Sequence, residues 1–595
     1  MGSSSVSPNL PRLALRIGIT GHVSSGLPDD HSHIREQVVD ILSRIKTIAG
    51  QITCQEGAGY ENTIPLLQLI SPLADGADQL VALQASMLGY YLHVPLPYSR
   101  DEYRKELEAQ DDFDALLELA EKTGSVMELD GVPGSEEAYE RVGRAVYRNA
   151  DILLAIWDPE AGAKRGGTAQ IANEAFESGL PILWIDPRIE QPWCFADIKN
   201  RNPERGPGGE YLEQFLEMLL DAPPSFGNKE AGKALETYAH NETKRRWCGL
   251  GAFRMAISLF SLRWPFGNPL LPRLDFSKDN WQKAFDMPKV LANNSQEKVV
   301  YHYKWADHLA NKYANLYRDS FTYVYSLAPL AIAVSIMADE VKDPSFLGLI
   351  EVFSLLIALG VFLYAYRKKF HERWMDYRLL AERLRELTFL LPINRVPQMT
   401  QFLDKAELSN NRVAWVDWYY RAIVREAGLY KASMTDAYLK GYKDWLSTQI
   451  QSQIGHHQHN YRKMSRIHLV LTITKVTVFI LAILLAFTHV FKENLEAWLN
   501  SLPETIQENL PFWSIMLPVL AASLHAFASQ GEIEHLSDRS KKQYRELEYQ
   551  LGLLKDQLPI NSQDLGDSAE KLAGIMSGEL TDWHIVYVNK GVPLP

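Results

Sequence analysis

The chain has 595 residues, too many for one domain of ordinary size, and carries a formal net charge of −12. That balance argues against binding of nucleic-acid polymers but leaves room for a local basic pocket that holds a small anion. Cys54, Cys194 and Cys248 are far apart in sequence, which speaks for reduced cytosolic thiols and against a disulfide framework or a cysteine-rich zinc site.

The polar opening MGSSSVSPNLPR has no apolar h-region, so no cleaved secretory signal is expected there. From there to about residue 190, short apolar runs alternate with helical patterns. The runs are LALRIGITG, PLLQLISPL, YYLHVPLP, SVMEL, DILLAIWD and PILWID. Such a series predicts an α/β, Rossmann-like domain over residues 1–190, with a parallel sheet and helices on both faces. In such sheets ligands bind at the carboxyl ends of the strands.

Three of the predicted strand ends carry residues suited to a phosphate-bearing ligand. After the first strand stand Gly18, Thr20, Gly21 and His22, where glycines allow close backbone approach and a hydroxyl can meet phosphate or ribose. After the second stand Ser71, Asp75, Gly76 and Asp78. Asp75 is placed to cap the next helix or bind a ribose hydroxyl, and Asp78 lies in that helix's first turn, where an acid suits the dipole. After the fifth comes Asp158, then Arg165, Gly166, Gly167 and Thr168. There two glycines free backbone N–H groups at a helix start and an arginine can neutralise phosphate.

Together IGITGHV, SPLADGADQLVA and IWDPEAGAKRGGTAQI resemble the SLOG superfamily over roughly residues 12–190. That Rossmann-like group includes nucleotide hydrolases of the Lonely-Guy type and sensors of nucleotide-derived signals. The hydrolase signature is Pro-Gly-Gly-x-Gly-Thr-x-x-Glu. If its Gly-Thr falls on Gly167 and Thr168, then Ala163, Lys164 and Arg165 replace Pro-Gly-Gly, and Ile171 takes the glutamate position. Glu174 is the nearest acid, one helical turn further on. The sensor pattern often carries arginine after Gly-His, where this chain has Val23.

Residues 191–295 read as linker and relay helices. They contain the turn-rich NRNPERGPGGE and the apolar stretch LGAFRMAISLFSLRW (250–264), flanked by Arg254 and Arg263. This stretch is expected as a packed helix linking the two halves, with a place on the membrane surface as the alternative.

Beyond residue 296 four apolar runs approach the roughly 20 residues that cross a bilayer core. They lie at 321–338, 346–366, 467–487 and 512–528. The first and fourth contain Pro329 and Pro518. Basic residues border the ends of the runs that would face one side: Arg318, Arg367, Lys368, Lys369, Arg462, Lys463, Arg539 and Lys541. The connecting loops are mainly acidic or neutral. The positive-inside rule then predicts four transmembrane helices in two hairpins, with both termini in the cytoplasm. Residues 296–450 and 451–595 each repeat one pattern: a polar helix rich in His and Tyr, a membrane hairpin, and a charged amphipathic helix.

The segments HERWMDYRLLAERLREL, NRVAWVDWYYRAIVREAGL and DWLSTQIQSQIGHHQHNYRKM resemble the SLATT family. These membrane-hairpin effector domains accompany nucleotide-signal sensors in bacterial conflict and phage-defence systems. The resemblance implies a pore-forming or membrane-perturbing output; the apolar hairpins continuing into amphipathic helices suggest packing against other copies, a homo-oligomer. Within the runs, Glu351, Lys475 and His525 are ionisable and therefore candidates for a pore or a buried pairing. The histidines at 456, 457 and 459 read as a solvated face; no metal and no cofactor is expected.

Cleaving an N-glycosidic bond requires a placed carboxylate to stabilise the oxocarbenium ion. The motif that would supply it carries Ile171, so no catalytic residue is assigned and sensing is favoured over enzymology. The expected function is a defence-system membrane effector, in which a nucleotide-derived second messenger bound by the first domain gates the bilayer. The alternative is a membrane-tethered nucleotide N-glycosidase using Asp75, Asp78 or Glu174.

Overall fold

A computed structural model describes residues 10–55, 59–158, 165–196, 209–242, 251–261, 287–339, 345–397, 412–491, 503–556 and 560–587. All six expected strands form: β1 (Ala14–Gly21), β2 (Leu66–Ile70), β3 (Tyr91–Leu96), β4 (Ser125–Glu128), β5 (Ile152–Ile156) and β6 (Ile182–Ile185). Two more complete an eight-stranded sheet, β7 (Cys194–Ala196) and β8 (Ala432–Ser433), in the order β7-β6-β5-β1-β2-β3-β4-β8. The sheet is therefore mixed rather than purely parallel, because β7 pairs antiparallel with β6 while every other pairing is parallel. Strand β8 lies far along the chain, in the stretch expected to belong wholly to the first membrane hairpin. Two residues carry too little pattern to announce a strand; their pairing is decided by the open edge of β4.

Helix α1 (Ser32–Thr53) buries Ile34, Val38, Ile41, Leu42, Ile45 and Ile52 at helical spacing, giving it one apolar face. It covers one side of the sheet with α2 (Ala77–Met87), while α3 (Arg100–Arg104) and α4 (Gln110–Thr123) follow β3. The opposite side is shared by α5 (Glu136–Arg148), α6 (Thr168–Glu177) and, from much later in the chain, a helix at 414–427. Ser135 caps α5, its hydroxyl accepting from the Ala138 N–H. The relay region contributes α7 (Gly209–Leu220) against α1, α8 (Lys229–Glu236) and α9 (Ala252–Phe260). Phe253 of α9 packs on Phe321 and Phe527, and Asp319 accepts from the Gly251 and Phe253 N–H groups. Over Ala252–Phe260 the apolar stretch is a helix that packs through Phe253 and Ile257 and leaves Met255 and Leu259 exposed. Arg263 lies outside the described residues.

The remainder is helical: α10 (Asn294–Asp339), α11 (Ser345–Arg367), α12 (Phe370–Leu390), α13 (Ala414–Ala427), α14 (Asp436–Val490), α15 (Glu504–Gln530), α16 (Ile533–Asp556) and α17 (Ser562–Tyr587). The four apolar runs fall in α10, α11, α14 and α15, and four helices are long and apolar enough to cross a membrane. Helices α10 and α14 continue well beyond their apolar runs, over 46 and 55 residues. Pro329 and Pro518 lie inside their helices. Helix α10 packs along α11 and α12, and α14 along α15 and α16. The amphipathic positions Phe370, Trp374, Tyr377, Ala381 and Leu384 of α12 are all buried. On α16, Leu547, Leu551 and Leu554 are buried and Tyr544 stacks on Tyr461; Leu558 lies outside the described residues.

One consequence of α13 is a polar belt beneath the sheet. Arg16, Gln68, His93 and Ser125 come from four adjacent strands and are all buried. Arg16 makes a two-pronged ion pair with Asp151 at 3.0–3.2 Å. Gln68 donates to the Arg425 carbonyl, and Ser125 to that of Leu429. Burial lowers the His93 pKa to about 4, with Arg16 adding to the effect, so this imidazole is neutral where it meets Ser125.

Candidate functional site at the strand ends

The chain runs from β1 outward to β4 and then returns to place β5 on the other side of β1. The β1–β5 boundary is therefore a topological switch point, the place where loops diverge and leave a crevice. The three loops singled out in the sequence all meet there.

Two glycines make this meeting possible. A Cβ on Gly21 would lie 2.3 Å from the Ala77 Cβ. Gly76 has φ +92°, and a Cβ there would lie 2.5 Å from the Ser24 nitrogen and 2.7 Å from the His22 carbonyl oxygen. Only glycine lets the β1 loop and the amino end of α2 touch backbone to backbone. Ala77 N–H donates to the His22 carbonyl at 3.0 Å, and His22 N–H to that of Ile156 at 3.1 Å. The His22 ring joins the third loop, its Nε2 accepting from the Asp158 N–H at 2.9 Å. Gly18, further back on β1, serves packing: a Cβ there would press on Val146 of α5 and on Ala150 just after it.

The Gly-Gly-Thr turn is held just as closely. Thr168 Oγ1 donates to the Gly21 carbonyl at 2.8 Å, lashing the start of α6 to the end of β1. Gly166 adopts φ +72° and its N–H donates to Gln170 Oε1 at 2.8 Å. Gly167 is the N-cap of α6. Thr20, half-buried, pairs with Ala155 across β1 and β5. Lys164 and Ala163 lie outside the described residues.

The acids at these strand ends are engaged elsewhere. Asp75 accepts from the Glu108 and Ala109 N–H groups at 2.8 and 3.1 Å, so it secures the entry to α4 rather than capping α2. The Ser71 hydroxyl is turned into its own loop, accepting from Leu73 N–H. Asp158 pairs with Arg188 at 3.0 Å. Glu174 takes both prongs of Arg144, at 2.9 and 3.0 Å, and accepts from Gln170 and Tyr147. The Arg144 bonds, with help from Gln170, hold its carboxyl down at about 2. Arg165, more than half exposed, is paired with Glu140 at 2.8 Å. Ile171 is 2 % exposed and packs on Gly143 of α5, so the position of the hydrolase glutamate points into the core.

Asp78 stands apart. It is buried, and its Oδ1 has no hydrogen-bond partner among the described residues. Burial pushes its carboxyl up to about 8, against the opposing hydrogen bond from the Ala74 backbone. A neutral acid at pH 7 is the result.

Sequence reasoning passed over Glu140, Arg144, Gln170 and Arg188, which engage Arg165, Glu174 and Asp158. Only the i,i+4 spacings Glu140–Arg144 and Gln170–Glu174 hinted at them. In the apolar helices, Glu351 and Lys475 are half-buried and His525 is exposed; no ion pair joins Glu351 to Lys475 among the described residues. No group of three His, Cys, Asp or Glu among the described residues is placed to hold a metal. Comparison with family models, with curated proteins and with solved structures finds no match to this chain.

Proposed function

We propose that this protein is a membrane effector gated by a nucleotide-derived second messenger bound at the β1–β5 switch point. The observation that carries the reading is the engagement of the nearby acids Asp75, Asp158 and Glu174 in ion pairs or backbone caps. With the Thr168 hydroxyl and the Gly166 N–H bracing the turn, the backbone N–H groups at the start of α6, together with Thr20, are left to grip a phosphate. Such a site is suited to binding without cleavage. The SLOG resemblance of residues 12–190 supports the ligand class, and the SLATT resemblance of residues 296–595 supports a membrane output in a defence setting. On this reading the four apolar helices form two hairpins in a bacterial inner membrane, termini in the cytoplasm. A homo-oligomer opens or disrupts the bilayer when the ligand binds one arrangement more tightly than the other.

The test is reconstitution of the full chain in dye-loaded vesicles with a panel of linear and cyclic nucleotides. A nucleotide that provokes leakage, and fails to do so with Thr168→Val, is the expected result. Intact vesicles across the whole panel would sink the proposal.

A second reading, a membrane-tethered nucleotide N-glycosidase, is favoured by one observation: Asp78 is buried with its Oδ1 unpartnered among the described residues, surroundings that favour the protonated carboxyl a proton donor needs. Free base appearing on chromatography after incubation with nucleotides, and vanishing in Asp78→Asn, would establish it. No released base is expected.

A further inference from the structure

A second polar cavity lies away from the strand ends, between α5, the turn at 393–395 and the first residues of α17. Its volume is about 220 Å³. That is below the roughly 300 Å³ at which pockets begin to hold a drug-sized molecule, so it suits a small anion rather than a whole nucleotide. Arg141, Arg144 and Arg148 line it from one face of α5, at spacings of three and four residues, and Arg395 faces them from the turn. Asp567 is the one carboxylate in the lining.

The charges do not balance at every arginine. Arg141 meets Asp130 and Glu137, Arg144 meets Glu140 and Glu174, and Arg395 meets Asp567 and Glu570. Arg148 has no acidic partner among the described residues, although it stands beside three other guanidiniums. The Nε of Arg141 is also buried without a hydrogen-bond acceptor. Ser562 and Gln563 bring the positive end of α17 to the same cavity. The walls are fixed: Asn149 donates to Asn394 at 2.7 Å, and the Ser562 N–H donates to Asp130 at 2.7 Å.

From this geometry we infer a second anion site, in which Arg148 and its neighbours hold a phosphate or pyrophosphate group through paired guanidinium N–H donors. The site joins the sheet to the C-terminal bundle, since α17 packs against α12 and α16. It is also wired to the strand ends. Arg144 holds Glu174, Glu174 accepts from Gln170, and Gln170 accepts from the Gly166 N–H. The inference does not depend on the gating role proposed above.

Titration calorimetry of the full-length protein in detergent tests it, with inorganic pyrophosphate as the probe, at low ionic strength and without divalent cations. Binding should weaken at least tenfold in Arg148→Ala and in Arg148→Gln, fall less in Arg148→Lys, and persist in Thr168→Val. No binding to the wild-type chain overturns the site. So does equal binding in a folded Arg148→Ala or Arg148→Gln protein. Loss in Thr168→Val with retention in Arg148→Ala would move the anion to the strand ends and overturn it as well.

Discussion

The sheet region and the four apolar helices treat apolar side chains in opposite ways. In the sheet, Leu13, Leu15, Ile17, Leu69, Val94 and Leu154 are wholly or almost wholly enclosed. In α11, Phe353, Leu356 and Ile357 are each more than half exposed, and in α14 so are Ile473, Phe479 and Ile483. The difference is not of composition but of partner. A sheet face is satisfied by helices of its own chain, whereas apolar area of this extent left outside the protein requires another apolar medium. Helix α10 shows both regimes: Val299, Trp305 and Leu309 are fully buried near its start, while Leu330, Ile332 and Met337 near its end face outward.

The largest effect is expected where the two regions are bound together. Trp415 is fully buried on α13, with Tyr238 at 5.1 Å and Tyr377 at 6.0 Å between ring centres, and its indole N–H donates to Asp376. Trp415→Ala should cost about 3–5 kcal/mol and be read in urea unfolding. If sheet and helical base are one cooperative body, both lose stability together; loss confined to one would break that picture.

Next comes the outward face of α11. Leu356→Arg should leave the sheet intact and raise the cost of membrane insertion by about 2.5–3.5 kcal/mol, the penalty for arginine near a helix centre. Glycosylation-tagged insertion assays measure it, and unchanged insertion would show that this face does not meet lipid.

Asp78 offers a pH test of the sheet region alone. Its folded pKa lies above the ordinary value of 3.8, at about 8, so the folded state holds the extra proton between those limits. Its stabilising effect is present below about pH 4 and is lost as pH rises through about 8. Asp78→Asn should flatten this part of the fall in melting temperature over that window. An unaltered pH profile would mean the carboxyl is not held neutral.

The smallest effect is expected at the loop that suggested a ligand. Thr168→Val removes one hydrogen bond to the Gly21 carbonyl, worth about 0.5–1.5 kcal/mol. Nucleotide affinity should fall more steeply than thermal stability; equal, small changes in both would make Thr168 a brace only.

Much of this molecule was legible beforehand because its patterns are local. Alternating short apolar runs and helical stretches announced six strands in order, and runs of about 20 apolar residues announced four long helices. Gly21 was expected to let a ligand approach the backbone; the space it and Gly76 leave is instead filled by the β1 loop meeting the start of α2. What stayed hidden depends on contacts between distant positions. Strand β8 is two residues long and exists because β4, far earlier in the chain, has a free edge: Met127 pairs with Ala432 and Glu128 with Ser433, and the Met434 N–H donates to the Glu128 carbonyl. Helix α13 looked like part of the membrane base and instead closes the underside of the sheet, because buried Gln68 donates to the Arg425 carbonyl near its end and Ser125 to the Leu429 carbonyl just beyond it.

The charges at the candidate site belong to the same class. By itself the sequence determined which residue types stand at the strand ends, including Ile171 in place of a glutamate. It could not say that Glu174 is bound by Arg144 and held near pKa 2, or that Asp75 is spent on α4. Those outcomes were decided only by tertiary structure, because the ionisation and freedom of a carboxylate depend on which donors and how much water surround it.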